Sequence, residues 1–205
     1  MTESTRLASQ QLVRMREMNR FYHERFFSDV RFTTLTLIAL FVLGASQSQI
    51  AYLLVPPAAL LGAAQTAFDA SYLIFSRHYA TDLERYLNRA LGERILVAHE
   101  MEDRYLFPLN SPKIVTLTTT RDFSWFGFMT ILYTAMGVAA FVFGLALGWH
   151  ELFAHGPGWA VAYLGTMALL TVAALGVGWW WFPAGTGEKR LTAALAGFGQ
   201  PPDET

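Results

Sequence analysis

One acidic residue interrupts a long uncharged stretch of the sequence. Asp69 is the only Asp, Glu, Lys or Arg between Phe32 and Ser76. On a helix, Gln65, Thr66 and Tyr72 lie within about one turn of Asp69. An acid in an apolar setting is costly and usually faces protein, water or a partner. Two interpretations stay open: a proton or cation site, or a hydrogen-bonded acid that locks two helices together.

A second group of polar side chains falls in the segment His99-Glu100-Met101-Glu102-Asp103. On a helix, His99, Glu102 and Asp103 share a face, which suits a divalent metal. The sequence supplies no matching partner motif, and acid-rich segments are usually solvated. These three residues are therefore only weak metal candidates, and we expect no metal and no cofactor.

The segment His150-Glu151-Leu152-Phe153-Ala154-His155 resembles a zinc-binding HExxH helix with one residue too many. Histidines five apart point roughly 140° apart on a helix, so they do not converge on one ion. We expect residues 150–157 to form a turn. The absence of cysteine excludes thiolate chemistry and disulfides. With no phosphate-binding loop or nucleophile elbow either, no catalytic residue is predicted.

The composition of the chain indicates what kind of structural element contains these residues. The chain has 205 residues, of which 53% are hydrophobic and only 15% charged, whereas soluble domains carry roughly a quarter charged residues. A second tract, from Phe123 to Gly187, contains Glu151 as its only Asp, Glu, Lys or Arg. Two uncharged tracts of this length do not fit the half-exposed helices of a soluble protein.

Each tract is long enough for two membrane-spanning helices, since a crossing takes about 20 apolar residues. The predicted spans run from about Phe32 to Ala45, Ile50 to Ser76, Ser124 to Trp149 and Gly158 to Phe182. Proline favours the first turn of a helix, so span two has an alternative start at Pro56. The predicted fold class is all-α: a polytopic membrane protein with four transmembrane helices and helical cytoplasmic extensions of spans one and two.

Basic residues predict the orientation of the spans, because Lys and Arg are retained on the cytoplasmic side. All 15 of them fall before span one, between spans two and three, or after span four, and neither outer turn has any. Both termini should therefore be cytoplasmic. The first 30 residues lack the pattern of a signal peptide, so span one is expected to direct insertion.

The predicted organisation has five parts. Residues 1–31 form a cytoplasmic amphipathic helix, 32–76 a transmembrane hairpin, 77–122 a cytoplasmic helix and loop, 123–182 a second transmembrane hairpin, and 183–205 a cytoplasmic tail. Apolar stripes at helical spacing, from Met15 to Phe26 and from Tyr72 to Ala90, favour packing of the two cytoplasmic helices against one another. The alternative is an N-terminal helix lying flat on the lipid headgroups.

Polar and small residues complete the predicted sites inside the spans. Three threonines of span one lie at about the depth of Asp69, so the full intramembrane polar site comprises Asp69, Gln65, Thr66, Tyr72, Thr33, Thr34 and Thr36. Small residues recur every four positions in spans two and three, which allows close approach of helices. The predicted packing residues are Ala59, Ala63, Ala67, Ala140, Gly144 and Gly148.

These features predict a non-enzymatic protein of the inner (plasma) membrane, oligomeric, that conducts an ion or acts as a membrane effector. The alternatives are an accessory or scaffold subunit of a larger membrane complex and, third, a small membrane enzyme acting on lipid. The expected partners are membrane lipid and either further copies of the chain or a membrane-complex protein. A formal net charge of −1 gives no basic surface for nucleic acid.

Overall fold

The computed structural model describes residues 2–106, 109, 113–114, 117–118 and 125–196. Helices make up nearly all of this part of the chain, as the sequence predicted. The helices are α1 (Glu3–Ser46), a 3₁₀ helix (Gln49–Leu54), α2 (Val55–Leu91), α3 (Ala98–Tyr105), α4 (Trp125–Leu147), α5 (Trp149–Ala154), α6 (Pro157–Trp181) and α7 (Thr186–Leu195). Two short strands, β1 (Lys113–Ile114) and β2 (Leu117–Thr118), pair antiparallel.

Four helical segments are long and apolar enough to cross a membrane, judged by length and composition. They are Glu3–Ser46, Gln49–Leu91, Phe126–Leu147 and Pro157–Leu195. Three of them contain a span predicted from the sequence, and Phe126–Leu147 lies within the predicted span three. The chain therefore has the composition of a multi-pass membrane protein.

Helix α1 joins the predicted N-terminal helix and span one without interruption over 44 residues. No proline occurs in it, and its only glycine is Gly44, close to its end. Each residue adds an intrahelical hydrogen bond, so an apolar stretch continues the polar one at no extra nucleation cost.

Two prolines determine where α2 begins. The preceding 3₁₀ helix covers Gln49–Leu54, and Pro56 and Pro57 lie in the first turn of α2. A proline there removes no hydrogen bond, because the first N–H groups of a helix have no intrahelical partner. At the other end α2 continues to Leu91, and Gly92 follows with a φ of 72°. The apolar stripe from Tyr72 to Ala90 predicted this continuation.

The described residues fall into two compact units. Unit one comprises residues 1–24, 69–128 and 180–205, and unit two comprises residues 25–68 and 129–179. In unit one, the first half of α1 packs against the second half of α2, which agrees with the predicted packing of the cytoplasmic helices. The buried residues of this core are Ala8, Met15, Ala80, Leu83 and Leu87.

In unit two, one outer turn differs from the prediction. The sequence predicts a turn at residues 150–157, and Trp149–Ala154 forms the short helix α5 there. Its Leu152 is completely buried and packs with Leu53 and Ala160. Burial of this apolar side chain stabilises a helical turn that local sequence does not predict.

The predicted tail contains helix α7, which begins after Gly185 in the left-handed conformation. The predicted start of span three at Ser124 lies outside the described residues. So do residues 119–122 of the predicted loop and residues 197–205 of the predicted tail.

Candidate functional site

A cluster of charged side chains joins three helices of unit one. We call it the charge cluster: Arg16 of α1, Arg77 and Glu84 of α2, and His99, Glu102 and Asp103 of α3. Arg77 and Glu84 are seven residues apart, so they share the buried face of α2. The cluster contains two arginines and three carboxylates in addition to the histidine.

A short connection between α2 and α3 brings α3 to this position, and the side chain of Asn88 stabilises that connection. The Asn88 side-chain oxygen accepts hydrogen bonds from the backbone N–H groups of Ile95 (3.1 Å) and Leu96 (2.9 Å). Its amide nitrogen donates to the Leu96 carbonyl at 2.8 Å. Together with the left-handed Gly92, these bonds turn the chain back so that α3 lies against α2.

Arg77 is the most deeply buried charge of the cluster, with a completely inaccessible side chain. Its Nη2 donates to Asp103 at 3.0 Å and its Nε donates to Glu102 at 3.3 Å. Burial lowers the pKa of the Arg77 guanidinium, while the two carboxylates oppose that change. An arginine nevertheless stays charged in a protein. A buried cation of this kind requires its carboxylate partners.

Glu84 connects the other two helices. One carboxylate oxygen accepts from Arg16, while the other accepts from the His99 backbone N–H at 3.1 Å and lies 2.7 Å from His99 Nδ1. A carboxylate only accepts, so Nδ1 is the donor in this pair. Burial alone would raise the pKa of Glu84, but the hydrogen bonds from His99 and Arg16 outweigh it and hold that pKa below its usual value.

His99, Glu102 and Asp103, the three weak metal candidates, therefore share one face of α3, as predicted. Arginine side chains contact Glu102 and Asp103 on that face. His99 contacts Glu84, Glu102 contacts Arg16 and Arg77, and Asp103 contacts Arg77. Among the described residues, no group of three or more His, Asp or Glu side chains is arranged to hold a metal ion. The arrangement supports ion pairing that fixes α3 in place.

The opposite side of α3 is exposed and carries apolar side chains together with Arg104. Val97, which precedes the helix, Met101 and Tyr105 follow one another at intervals of four residues, and we call them the outer stripe. Met101 is 60% exposed and Tyr105 is 76% exposed. An ordinary surface helix directs its apolar face inward. Helix α3 instead directs His99, Glu102 and Asp103 inward, because Arg16, Arg77 and Glu84 pair with them.

The predicted intramembrane polar site is divided between the two units. Asp69 and Tyr72 belong to unit one, while Gln65, Thr66 and the three threonines of α1 belong to unit two. Asp69 is completely buried. The Tyr72 ring stacks on that of Tyr22 with centroids 4.7 Å apart.

Within unit two, the polar side chains mostly bond to their own helix or pack closely. The Thr66 hydroxyl donates to the Gly62 carbonyl at 2.9 Å. Thr33 packs directly against Gly62, where a larger residue would collide with it. Thr34 and Thr36 are half-buried. In the described part of the chain, the buried amide nitrogen of Gln65 has no hydrogen-bond partner.

The small residues of span three make close contacts within the chain. A Cβ built on Gly144 would lie 2.7 Å from the Cβ of Val55, and one on Gly148 would lie 2.6 Å from a methyl group of Leu53. Of the other predicted packing residues, Ala59 is buried, Ala67 and Ala140 are half-buried and Ala63 is exposed. The two glycines thus allow α4 to approach the start of α2 closely.

Sequence reasoning missed the arginine partners in the charge cluster. Arg77 was read only as the end of a span, and Arg16 only as part of the positive charge before span one. A signal was present in the i, i+7 spacing of Arg77 and Glu84 along an otherwise apolar face.

No protein-family model, curated protein or solved structure matches this chain.

Proposed function

We propose that this chain is a non-enzymatic, four-pass protein of the inner membrane that self-associates and serves as a structural subunit of a membrane assembly. In this proposal both termini and unit one are cytoplasmic, because the loops that carry every Lys and Arg belong on that side. The observation that carries the proposal is the orientation of α3, with His99, Glu102 and Asp103 facing inward and its outer stripe exposed.

The outer stripe is a suitable contact between two copies of the chain. Exposed apolar surface on a soluble element often marks an interaction site. Copies inserted in one membrane share one orientation, so a two-fold axis along the membrane normal brings equivalent faces together. Such an interface uses the same patch on both subunits and is the commonest form of oligomer. We therefore assign the stripe to contact with a second copy.

The burial of Asp69 also favours a structural role over ion conduction. A path shared between several chains needs the carboxylate on the outer surface of each chain, whereas Asp69 is completely buried. The interpretation as a helix lock is consistent with this burial.

The absence of native cysteine makes a direct test possible. A single cysteine at Met101 should form a covalent dimer in membranes when a short bis-maleimide is added. Glu17→Cys provides the control, because this residue is also exposed but lies on α1. Met101→Asp should reduce the particle mass in mild detergent without loss of helix content. Equal cross-linking at both positions, or none at Met101, would contradict self-association through the stripe.

Ion conduction through a single chain remains the second candidate, and the observation that favours it is an acidic residue, Asp69, in the apolar part of α2. The test is ion flux in vesicles reconstituted with wild type or Asp69→Asn. Under the structural proposal the substitution is nearly neutral for folding, because interhelical hydrogen bonds in bilayers average about 0.6 kcal/mol. Loss of ion flux in an Asp69→Asn protein that still folds would support ion conduction as the function of this chain.

A further inference from the structure

A mostly apolar pocket lies between α2 and the C-terminal helix α7 of unit one. Its volume is about 270 Å³, and its apolar walls include Ile74, Phe75, Trp181 and Phe182. Glu188 and Arg190 of α7 supply opposite charges to the same lining. The lining of the pocket therefore combines apolar side chains with one cationic and one anionic side chain.

In the proposed topology, on which this inference rests, the pocket lies at the cytoplasmic membrane–water boundary of α2. Ser71, Ile74 and Phe75 line it and precede Arg77 by two to six residues, roughly 3–9 Å along the helix. Trp181, the last residue of α6, also lines the pocket and is the last of three consecutive tryptophans in the sequence. Tryptophans concentrate at the level of the lipid headgroups.

Helix α7 is held firmly against this wall. Leu191 is buried, and a Cβ built on Gly187 would lie 2.9 Å from the Trp181 ring. A residue larger than glycine at that position would push the helix away from the pocket.

Arg190 is arranged so that it can bind an additional anion. The centre of its guanidinium lies 5.1 Å from the Trp180 ring centroid and 6.0 Å from that of Trp181. Stacking on aromatic rings occupies the face of the guanidinium and leaves its N–H edge available for a bidentate contact with phosphate. Within the described part of the chain, Arg190 forms no ion pair that would occupy this edge.

We propose that this pocket binds a zwitterionic phospholipid of the bilayer, with its phosphate on Arg190 and its ammonium group near Glu188. One acyl chain lies in the apolar interior against Trp181 and Phe182. A phospholipid matches every feature of the site: an apolar lining, opposite charges at two positions, and a location at headgroup level.

The test measures lipid retained by the full chain. Protein purified in mild detergent and stripped of lipid is mixed with dioleoyl-phosphatidylethanolamine, and bound lipid per chain is counted by native mass spectrometry. Arg190→Gln should reduce retention roughly tenfold or more, because a charge-assisted contact is lost. Lys189→Gln, the adjacent cation, is the matched control and should retain as much as wild type.

Ala194→Phe provides a second variant that leaves Arg190 intact and fills the pocket from an exposed position. It should also lower retention about tenfold. Dioleoylglycerol, which lacks the phosphate, should bind weakly to all forms, and dioleoyl-phosphatidylglycerol, which lacks the ammonium, should bind less well than phosphatidylethanolamine. Any of three results would overturn the proposal. They are an equal loss of bound lipid in Arg190→Gln and Lys189→Gln, full retention of phosphatidylethanolamine by Ala194→Phe, and tighter binding of dioleoylglycerol or dioleoyl-phosphatidylglycerol than of phosphatidylethanolamine.

Discussion

The guanidinium of Arg77, completely buried in α2, donates to the carboxylate of Asp103 on α3 at a distance of 3.0 Å. These two residues are separated by a helix end, a left-handed glycine and a short connection. Their contact determines which face of α3 is turned inward. The exposed position of Met101 and Tyr105 is a direct result, because they lie on the opposite side of the same helix.

Replacement of Arg77 by methionine should destabilise unit one strongly. Glu102 and Asp103 would lose their buried cation, and hydrogen bonds between charged groups contribute about 1.5–3 kcal/mol each. Faster hydrogen exchange of the α3 backbone amides in Arg77→Met would report the loss. Arg85→Met is the control, since Arg85 is half-exposed and lies 3.8 Å from Asp82, where exposed pairs contribute little. Unchanged protection of α3 in Arg77→Met would show that the cluster does not hold this helix.

Glu84 should make the stability of unit one depend on acid pH. Its pKa in the folded chain lies below the usual value of 4.5, so the folded state favours the ionised form. The resulting stabilisation is complete above pH 4.5 and is lost as the pH falls through the lower, folded pKa. Thermal unfolding followed from pH 7 to pH 3 should show this loss in wild type. In Glu84→Gln the loss should be smaller, and an identical pH profile would assign the effect to other acids.

Close packing at Gly144 should be visible as a stability difference within a single helix. Gly144→Val places methyl groups against Val55, and overpacking of this kind costs about 1–3 kcal/mol. Gly137→Val is a matched control on α4, because no atom lies within 4 Å of a Cβ at Gly137. The measurement is the fraction folded after heating in detergent. Gly144→Val should unfold at a lower temperature than Gly137→Val, and the reverse order would contradict the described contact.

The proposed topology predicts which single cysteines react from outside the cell. Ser48→Cys and Ala154→Cys should be labelled in intact cells by a membrane-impermeant maleimide. Ser9→Cys and Glu93→Cys should react only after permeabilisation, because they belong to segments that carry the basic residues. Since the native chain has no cysteine, background labelling of this protein is absent. A reversed pattern at any of the four positions would require a different span count or orientation.

Local sequence patterns predicted where the helices lie, but they predicted few of the contacts between the helices. The prolines at 56 and 57 and the glycine at 92 mark the ends of α2 because each acts on its own backbone. The contact between Arg16 and Glu102 joins residues 86 positions apart, and no local periodicity encodes such a pair. Helix α5 was missed for the same reason, since Leu152 is stabilised by distant apolar partners.

The charge cluster also has a consequence for biogenesis. Every residue of the cluster lies between Arg16 and Asp103, so all six are present once half of the chain has been synthesised. Domains generally fold as units, beginning with N-terminal segments during synthesis. The cluster can therefore close while the ribosome is still translating α4 and α6. In the proposed topology, the second hairpin would then enter the membrane after the helices that carry the cluster have already paired.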